Sequence, residues 1–237
     1  MKIAAEYTGN YDVGPRIKTF VFKPLEKFSF RAGQWGFFEF DYQGSLCSKI
    51  FSFSSSPARE NIEMTTMMSG SNYKQALQRV AIGHRVSIRG PFGNFTLDAL
   101  HKESACFLVG GIGITPVKSM LELCVDAGEK LHATVLYSNK NAARIIFKDQ
   151  LDACSRKIPS VRVIHTLTQI CDEEQQSWCG ETGYIDADKI TKYCSNCSDQ
   201  QFYVVGPPGF TAAMVDTLTQ KLSIERSCIM LEKFSGY

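Results

Sequence analysis

The chain has 237 residues, of which 44% are hydrophobic and 21% are charged, as in a globular protein with ample core. A net charge of +2 argues against binding to nucleic acid or to an acidic membrane surface, since both need concentrated positive charge. No apolar run approaches the roughly 18 residues of a membrane helix, and the first residues lack the apolar core of a secretory signal. We therefore expect a cytoplasmic protein without a membrane span.

The first hundred residues predict short β-strands separated by turn residues. The strands are predicted over residues 16–23, 35–40, 49–54, 62–68 and 85–89. One helix is predicted over residues 72–80, with Ser71 as its N-cap. Regularly spaced strands without long helices indicate a small antiparallel β-barrel. We assign this domain to residues 1–102.

The pattern changes near residue 103, where strands begin to alternate with helices. Strands are predicted over residues 106–109, 132–137, 161–166, 202–205 and 229–232. Helices are predicted over 116–127, 144–154 and 210–222, and the polar segment 169–182 is predicted to be a loop. This alternation indicates an α/β domain with a doubly wound, five-stranded parallel sheet. We assign it to residues 103–237.

Two glycine turns follow predicted strands of this sheet. The first runs Gly110-Gly111-Ile112-Gly113-Ile114-Thr115-Pro116, with Thr115 expected to cap the next helix and Pro116 at its first position. The second is Gly206-Pro207-Pro208. Backbone amides at such turns bind phosphate, and ligands of these sheets lie at the carboxyl ends of the strands. A tight structural turn without a ligand is the alternative interpretation of either glycine sequence alone. The two glycine sequences together predict a dinucleotide site.

The nine cysteines do not follow a metal-binding pattern. Cys194 and Cys197 form a single Cys-x-x-Cys, and Cys171 and Cys179 upstream stand eight residues apart. Free thiols in a reducing compartment are therefore predicted in preference to zinc or an iron–sulfur cluster.

A series of short motifs occurs in a fixed order along both halves of the chain. They are Phe30-x-x-Gly33-Gln34, Lys49-Ile50-Phe51-Ser52-Phe53-Ser54-Ser55-Ser56-Pro57, Gly90-Pro91-Phe92-Gly93-x-Phe95, the two glycine turns, and Glu232-x-Phe234-x-Gly236-Tyr237. Together they resemble the ferredoxin–NADP reductase family, from about residue 16 to the last. The resemblance implies a barrel that binds FAD, less often FMN, and an α/β domain that binds NADPH or NADH.

The resemblance also implies roles for residues of the barrel. Lys49 stands where the family has an arginine that holds the flavin phosphates, Phe51 packs on the flavin ring, and Ser52 lies near its reactive nitrogen. Lysine carries a point charge where arginine would offer a planar group with two parallel donors. We therefore expect Lys74 to contribute a second positive charge to the phosphates. The other implied flavin contacts are Phe53, Met64, Thr65, Thr66, Ser69, Gly70 and Ser71. Without the resemblance, Lys49 would be an ordinary solvated lysine, and Phe51 and Phe53 would be barrel core.

In the second domain the resemblance implies contacts to the nicotinamide nucleotide. Those contacts come from Gly111, Gly113, Thr115, Pro116, Gly206, Pro207 and Pro208. Thr115 is expected where the nicotinamide meets the flavin, and Phe234 and Tyr237 are expected to lie against the flavin. Val205 stands where many members have a cysteine. Ser138, Lys140 and Arg144 are placed to contact a 2′-phosphate, which favours NADPH.

We therefore expect a monomeric, flavin-dependent NAD(P)H reductase with Ser52, Thr115 and Phe234 at the reacting centre. Hydride would pass from the nicotinamide to the flavin, and electrons from the flavin to a separate ferredoxin, flavodoxin or oxygenase component. Two alternatives stay open. One is an electron-transfer subunit that is inactive outside a larger complex, and the other is a non-enzymatic flavin or nucleotide sensor.

Overall fold

The computed structural model describes residues 1–97, 104–171, 175–194 and 196–234. They form two compact units, one made of residues 1–97 and 115–127 and the other of 104–114 and 128–234. The division of the sequence into domains after residue 102 stays a prediction.

The strands of the first unit form one antiparallel sheet. They are β1 (Lys2–Gly14), β2 (Ile17–Pro24), β3 (Trp35–Tyr42), β4 (Ser45–Ser52), β5 (Ile62–Met67) and β6 (Arg85–Phe92). Helix α1 (Asn72–Arg79) lies between β5 and β6 along the chain. The sheet order is β4-β3-β6-β1-β2-β5, and an isolated antiparallel bridge between Phe53 and Met64 joins its two edges. The sheet therefore curls on itself, and the predicted antiparallel barrel is confirmed.

Strand β1 was not predicted from the sequence. Its inward-facing residues Ile3, Ala5 and Tyr7 are buried and alternate with more exposed ones. Only two of these three side chains are large, and Gly9 follows them, so the hydrophobic alternation is too weak to identify a strand. The strand is stabilised by pairing with both β2 and β6, which is a property of the folded barrel.

Helix α2 (Ile114–Ala127) belongs to the same compact unit as the barrel. It begins two residues before the predicted Pro116, because the 3-10 turn Gly111–Gly113 continues directly into it. The predictions of Thr115 as the cap and Pro116 at the first helical position are therefore wrong. Proline is tolerated there because the backbone amides of the first turn have no partner within the helix.

The strands of the second unit form a wholly parallel sheet. They are β7 (Ser104–Gly110), β8 (Ala133–Asn139), β9 (Val161–Leu167), β10 (Glu181–Thr182), β11 (Gln200–Gly206) and β12 (Ile229–Lys233), in the order β10-β9-β8-β7-β11-β12. The five predicted strands are present. A sixth strand, β10, lies within the segment 169–182. The sheet therefore has six strands where five were predicted, and the segment is not wholly a loop as predicted. With two residues β10 is too short to produce a periodic pattern.

Helices cover both faces of this sheet, as a doubly wound fold requires. They are α3 (Lys148–Lys157), α4 (Ala187–Tyr193) and α5 (Pro208–Asp216), the last continued by a π-helical turn over Thr217–Lys221. Ile190 of α4 and Met214 of α5 pack in one core with Leu108 and Phe202. On the opposite face Asp152 of α3 approaches His165 of β9 at 3.5 Å.

The helix boundaries differ from the predicted ones for local reasons. Helix α3 begins four residues late because Phe147 adopts a left-handed conformation with φ of 60°. Helix α4 was not predicted; it is short, and its N-cap Asp186 accepts a hydrogen bond from the Lys189 amide at 2.9 Å. Helix α5 begins two residues earlier than predicted, with Pro208 in its first turn. Within the described ranges, no helix is long and apolar enough to cross a bilayer.

Candidate functional site

The first candidate site lies where strands β4 and β5 meet. The Phe53–Met64 bridge joins them, and the Ser54 amide donates to the Glu63 carbonyl at 2.8 Å. Continuing this antiparallel register brings Ser52 opposite Thr65. Within the described chain β4 and β5 stand at opposite ends of the sheet order, so the two residues belong to the two edge strands of the barrel.

The aromatic side chains at this edge have different environments. Phe51 is half-buried, with its ring 5.6 Å from the Tyr73 ring and 6.0 Å from the Phe38 ring. Phe53 is fully buried in the barrel core, 4.5 Å from the Phe30 ring. Phe51 therefore offers a partly open ring beside the buried Ser52, whereas Phe53 can contribute only its backbone.

The side chains on β5 stabilise the barrel. Met64 is fully buried. The Thr65 hydroxyl hydrogen-bonds with Thr19 at 2.8 Å and with Ser54 at 2.9 Å, so it is already satisfied. Met64 and Thr65 would therefore contact a ligand through the main chain, as the resemblance implies; Thr66 is buried beside them.

The loop Ser69-Gly70-Ser71 leads from β5 into α1 and carries an unsatisfied hydroxyl. Ser71 is the N-cap of α1, as predicted, but its Oγ makes no hydrogen bond to the helix it precedes. This oxygen is buried and has no hydrogen-bond partner among the described residues. A buried hydroxyl without a partner is unfavourable and marks a place where a polar ligand would satisfy it.

A buried lysine lies in the first turn of the same helix. Lys74 is 2% exposed, and no carboxylate in the described chain forms an ion pair with it. Burial, with repulsion from Lys49, lowers the pKa of Lys74 to about 8. Two neighbouring cations, a helix N-terminus and the Ser71 hydroxyl match the needs of a bound diphosphate. The residues present thus suit the phosphates of a flavin dinucleotide.

The second candidate site is formed by the two glycine turns. Strands β7 and β11 are neighbours, with Val109 paired to Val205. A Cβ atom on Gly113 would lie 2.8 Å from the Val205 carbonyl oxygen, and one on Gly206 would lie 3.1 Å from the Gly110 Cα. The turns therefore pack backbone to backbone at the carboxyl edge of the sheet. Pro207 and Pro208 extend the second turn into α5.

Gly111 differs from the other glycines of these turns. It has φ of +53°, and no atom of the described residues lies within 4 Å of where its Cβ would be. This side of the turn therefore leaves room for a ligand, and the phosphate contact of Gly111 stays a prediction. At the second turn, the Phe234 amide donates to the Gly206 carbonyl at 3.0 Å. Thr115 is buried in the first turn of α2, and Tyr237 lies outside the described residues.

The carboxyl end of β8 carries the residues expected near a 2′-phosphate. Ser138 is buried, whereas Lys140 and Arg144 are exposed. The sequence reasoning missed Asn139, which is 6% exposed and whose Nδ2 has no partner in the described chain. An amide side chain at the carboxyl end of a buried strand is the signal that identifies it.

A barrel with a diphosphate cradle, joined to a parallel sheet with paired glycine turns, defines a class of oxidoreductase that binds a flavin and a nicotinamide dinucleotide. Comparison with known proteins agrees. A family model for an oxidoreductase FAD-binding domain matches residues 7–97, and one for an oxidoreductase NAD-binding domain matches residues 107–216. The chain belongs to the ferredoxin–NADP reductase family.

Similar proteins include several named reductases. The chain is 30% identical over 163 residues to ferredoxin–NADP reductase B of Sorangium cellulosum, a match that covers 68% of this chain and 65% of that one. It is 24% identical over 227 residues to the phenol hydroxylase P5 protein of Acinetobacter pittii, covering 94% and 63%. The chain thus spans less than two thirds of the length of both relatives.

Solved structures share the fold at low sequence identity. A ferredoxin NADP+ reductase from Neisseria gonorrhoeae with bound FAD and NADP superposes with a TM-score of 0.79 at 18% identity, covering 98% of each chain. A flavohemoglobin from Malassezia yamatoensis gives a TM-score of 0.84 at 19% identity, covering 99% of this chain and 60% of that one.

Proposed function

We propose that this protein is an NAD(P)H-dependent flavin reductase that passes electrons from its flavin to a separate acceptor protein. The observation that carries the proposal is the buried Lys74, which has no carboxylate partner in the described chain and lies close to Lys49. A charged group in this state needs an anion. The diphosphate of FAD supplies one, and FMN, with a single phosphate, is the weaker candidate.

Different residues at the edge of the barrel are assigned to the phosphates and to the ring of the flavin. Lys49, Lys74 and the Ser71 hydroxyl hold the phosphates, together with the backbone amides at the start of α1. Phe51 presents a ring for stacking, and Ser52 presents a hydroxyl beside it. A flavin held by these residues would supply hydride acceptance from the nicotinamide and electron transfer to the acceptor. The protein therefore has to position the two cofactors and exclude water, with Thr115 and Phe234 assigned to the reacting centre.

The nicotinamide nucleotide is assigned to the carboxyl edge of the parallel sheet. Gly111 offers open backbone for its phosphates, and the second glycine turn lies directly beside the first. The segment Ser138–Arg144 contains Lys140 and Arg144 and no acidic residue. An acidic residue there would favour the ribose diol of NADH, so the segment favours NADPH.

The acceptor is proposed by class. Among the similar proteins are one named as a ferredoxin–NADP reductase and one named as a phenol hydroxylase protein. We accordingly propose a ferredoxin, a flavodoxin or an oxygenase component as the acceptor, and a monomeric reductase. None of the nine cysteines forms a disulfide, in keeping with the proposed cytoplasmic location.

The visible spectrum of the purified protein tests this function. Protein incubated with FAD or FMN and then desalted should retain the yellow colour of FAD, and anaerobic NADPH should bleach it faster than NADH. Ser52→Ala should slow bleaching at least tenfold while flavin affinity is retained. Protein that takes up neither flavin would show that the proposal is wrong. Flavin that binds but is reduced by neither nucleotide would instead support the sensor alternative.

A further inference from the structure

Two cysteines meet inside the second unit. Cys106 lies on the central strand β7 and is fully buried, and Cys194 directly follows α4 and is 3% exposed. Their Sγ atoms are 3.0 Å apart. That separation is only about 1 Å longer than the roughly 2.05 Å of a disulfide bond. A small rotation of the side chains would therefore bring the sulfurs to bonding distance.

The surroundings make the two thiols unequal. The hydrogen bond shared with Cys106 lowers the pKa of Cys194, and the Thr134 hydroxyl and the Arg162 charge act in the same direction, against the opposing effect of burial. Burial raises the pKa of Cys106, and no cation is among the groups that act on it. Arg162 is held in place by donating to the Tyr193 carbonyl at 2.6 Å. Of the two thiols, Cys194 therefore loses its proton more readily, which makes it the nucleophile.

A third cysteine connects this pair with the surface. Cys197 is half-buried in a 3-10 turn, and its Sγ lies 3.1 Å from the Cys194 carbonyl oxygen. Cys197 is more exposed than either member of the pair, so we expect a small oxidant to approach Cys194 from this turn. In the described chain no group of three or more His, Cys, Asp or Glu residues has the arrangement of a metal site, so the cluster is better explained by thiol chemistry.

We propose that Cys194 and Cys106 form a redox-active dithiol that hydrogen peroxide oxidises to a disulfide. The Cys194 thiolate attacks one peroxide oxygen, the O–O bond breaks, and the product is a sulfenic acid and, after protonation of the leaving oxygen, water. The sulfur of Cys106 then attacks the Cys194 sulfur, forming the S–S bond and releasing the sulfenic oxygen as a second water. The two sulfurs together lose two electrons, which reduce one hydrogen peroxide to two waters. A dithiol reductant reverses the reaction.

The disulfide would have a structural consequence that does not depend on any cofactor. It links β7, which runs directly into the first glycine turn, to the end of α4 across 88 residues of sequence. Constraining so long a loop restricts the unfolded chain, so the oxidised protein should unfold roughly 5–10 °C higher than the reduced one.

Peptide mapping of the wild-type protein tests the assignment without any substitution. Reduced protein is treated with a few equivalents of hydrogen peroxide, alkylated and digested, and cross-linked peptides are identified by mass. The expected product joins the Cys106 and Cys194 peptides, is 2 Da lighter than their sum, and disappears after treatment with dithiothreitol. Oxidation of the exposed Cys171 and Cys179 while Cys106 stays fully alkylated would overturn the proposal.

Substitutions distinguish the residues involved. Cys194→Ser and Cys106→Ala should each abolish the peroxide-induced rise in unfolding temperature. Cys154→Ser is the matched control and should retain it, because Cys154 is also buried but lies on α3. Cys197→Ser should slow formation of the disulfide at most several-fold. A cross-link between Cys194 and Cys197 in the wild-type protein would show that Cys106 is not the partner.

Discussion

The Lys118 ammonium of α2 lies 2.9 Å from the carbonyl oxygen of Ser54, just after the bridge that joins the edges of the barrel. Lys118 also pairs with Glu122 at 3.0 Å and with Glu63 of β5 at 3.4 Å, and it is only 2% exposed. One residue further, the Ser119 hydroxyl donates to the Ser55 carbonyl at 2.6 Å. These contacts hold α2 against the serine segment that follows Phe51 and Ser52.

Replacing Lys118 by methionine should therefore destabilise the barrel unit. The substitution leaves two buried or half-buried carboxylates, those of Glu122 and Glu63, without their central cation. Breaking a buried ion pair from one side lowers the free energy of unfolding by about 3 kcal/mol. Urea denaturation followed by tryptophan fluorescence measures the change.

Arg59→Gln is the matched control for that substitution. Arg59 also contacts Glu122, at 3.2 Å, but its side chain is 45% exposed. Water already solvates much of this guanidinium, so its loss should lower the free energy of unfolding by less than about 1 kcal/mol. Equal losses in the two variants would contradict the central role of Lys118.

Replacing Lys74 by methionine should change cofactor affinity and apoprotein stability in opposite directions. No carboxylate of the described residues pairs with this buried ammonium, so it destabilises the apoprotein, and its removal should raise the urea midpoint. The same change removes a charge-assisted contact to the flavin phosphates and should weaken FAD binding about 30-fold, or ~2 kcal/mol. Fluorescence titration of apoprotein with FAD measures the affinity. Unchanged affinity would remove Lys74 from the site.

Lys49→Ala provides the comparison for Lys74. Lys49 is half-buried on β4 and stands where the resemblance implies phosphate contact. Its removal should weaken FAD binding. It should also raise the pKa of Lys74, because the repulsion between the two lysines is lost. Riboflavin, which carries no phosphate, should bind both variants as weakly as it binds the wild-type protein.

FAD affinity should depend on pH through Lys74. Its pKa in the free protein is lowered to about 8, so the lysine is charged below that pH and neutral above it. A bound diphosphate favours the charged form, so binding above pH 8 requires uptake of a proton. Affinity should be level below pH 7 and fall by up to tenfold per unit as the pH rises past 8. Lys74→Met should abolish this decline in titrations between pH 6.5 and 9.5.

The same pKa shift predicts how the apoprotein responds to pH, with the opposite sign. Between pH 8 and 10.5 the unfolded chain binds a proton at Lys74 that the folded apoprotein does not. Through this lysine, the free energy of unfolding of the apoprotein therefore increases as the pH rises through that window. Comparing the urea midpoints of the wild-type protein and Lys74→Met across the window isolates the effect.

The glycines of the first turn should respond differently to alanine. Gly113→Ala brings a Cβ to 2.8 Å from the Val205 carbonyl, so the two turns must separate, and NADPH affinity should fall at least fivefold. In Gly111→Ala the new Cβ meets no atom of the described residues. The only cost is that of holding alanine in the left-handed conformation, about 1 kcal/mol of unfolding free energy. Thermal unfolding together with NADPH titration checks both. Similar NADPH affinities for the two variants would contradict the packed arrangement of the turns.

Much of the fold follows from local patterns in the sequence. The alternating strands from Ile17 onward, the central strand before Gly110 and the two glycine turns are determined by residues within a few positions of each other. Periodicity and turn chemistry therefore identify them. The short strand β10 and the early start of α2 were missed because their hydrogen bonds depend on segments elsewhere in the chain or on continuation of the preceding turn.

The sequence by itself determined the order of the motifs, and with it the family and the residue types offered to a flavin and a nicotinamide nucleotide. Only the tertiary structure decided that Lys74 is buried away from every carboxylate of the described residues, that the Ser71 hydroxyl makes no hydrogen bond to its helix, and that Cys106 meets Cys194. The physical reason is that burial and pairing depend on distances between segments tens of residues apart. Those distances exist only once the barrel has curled and the parallel sheet has assembled.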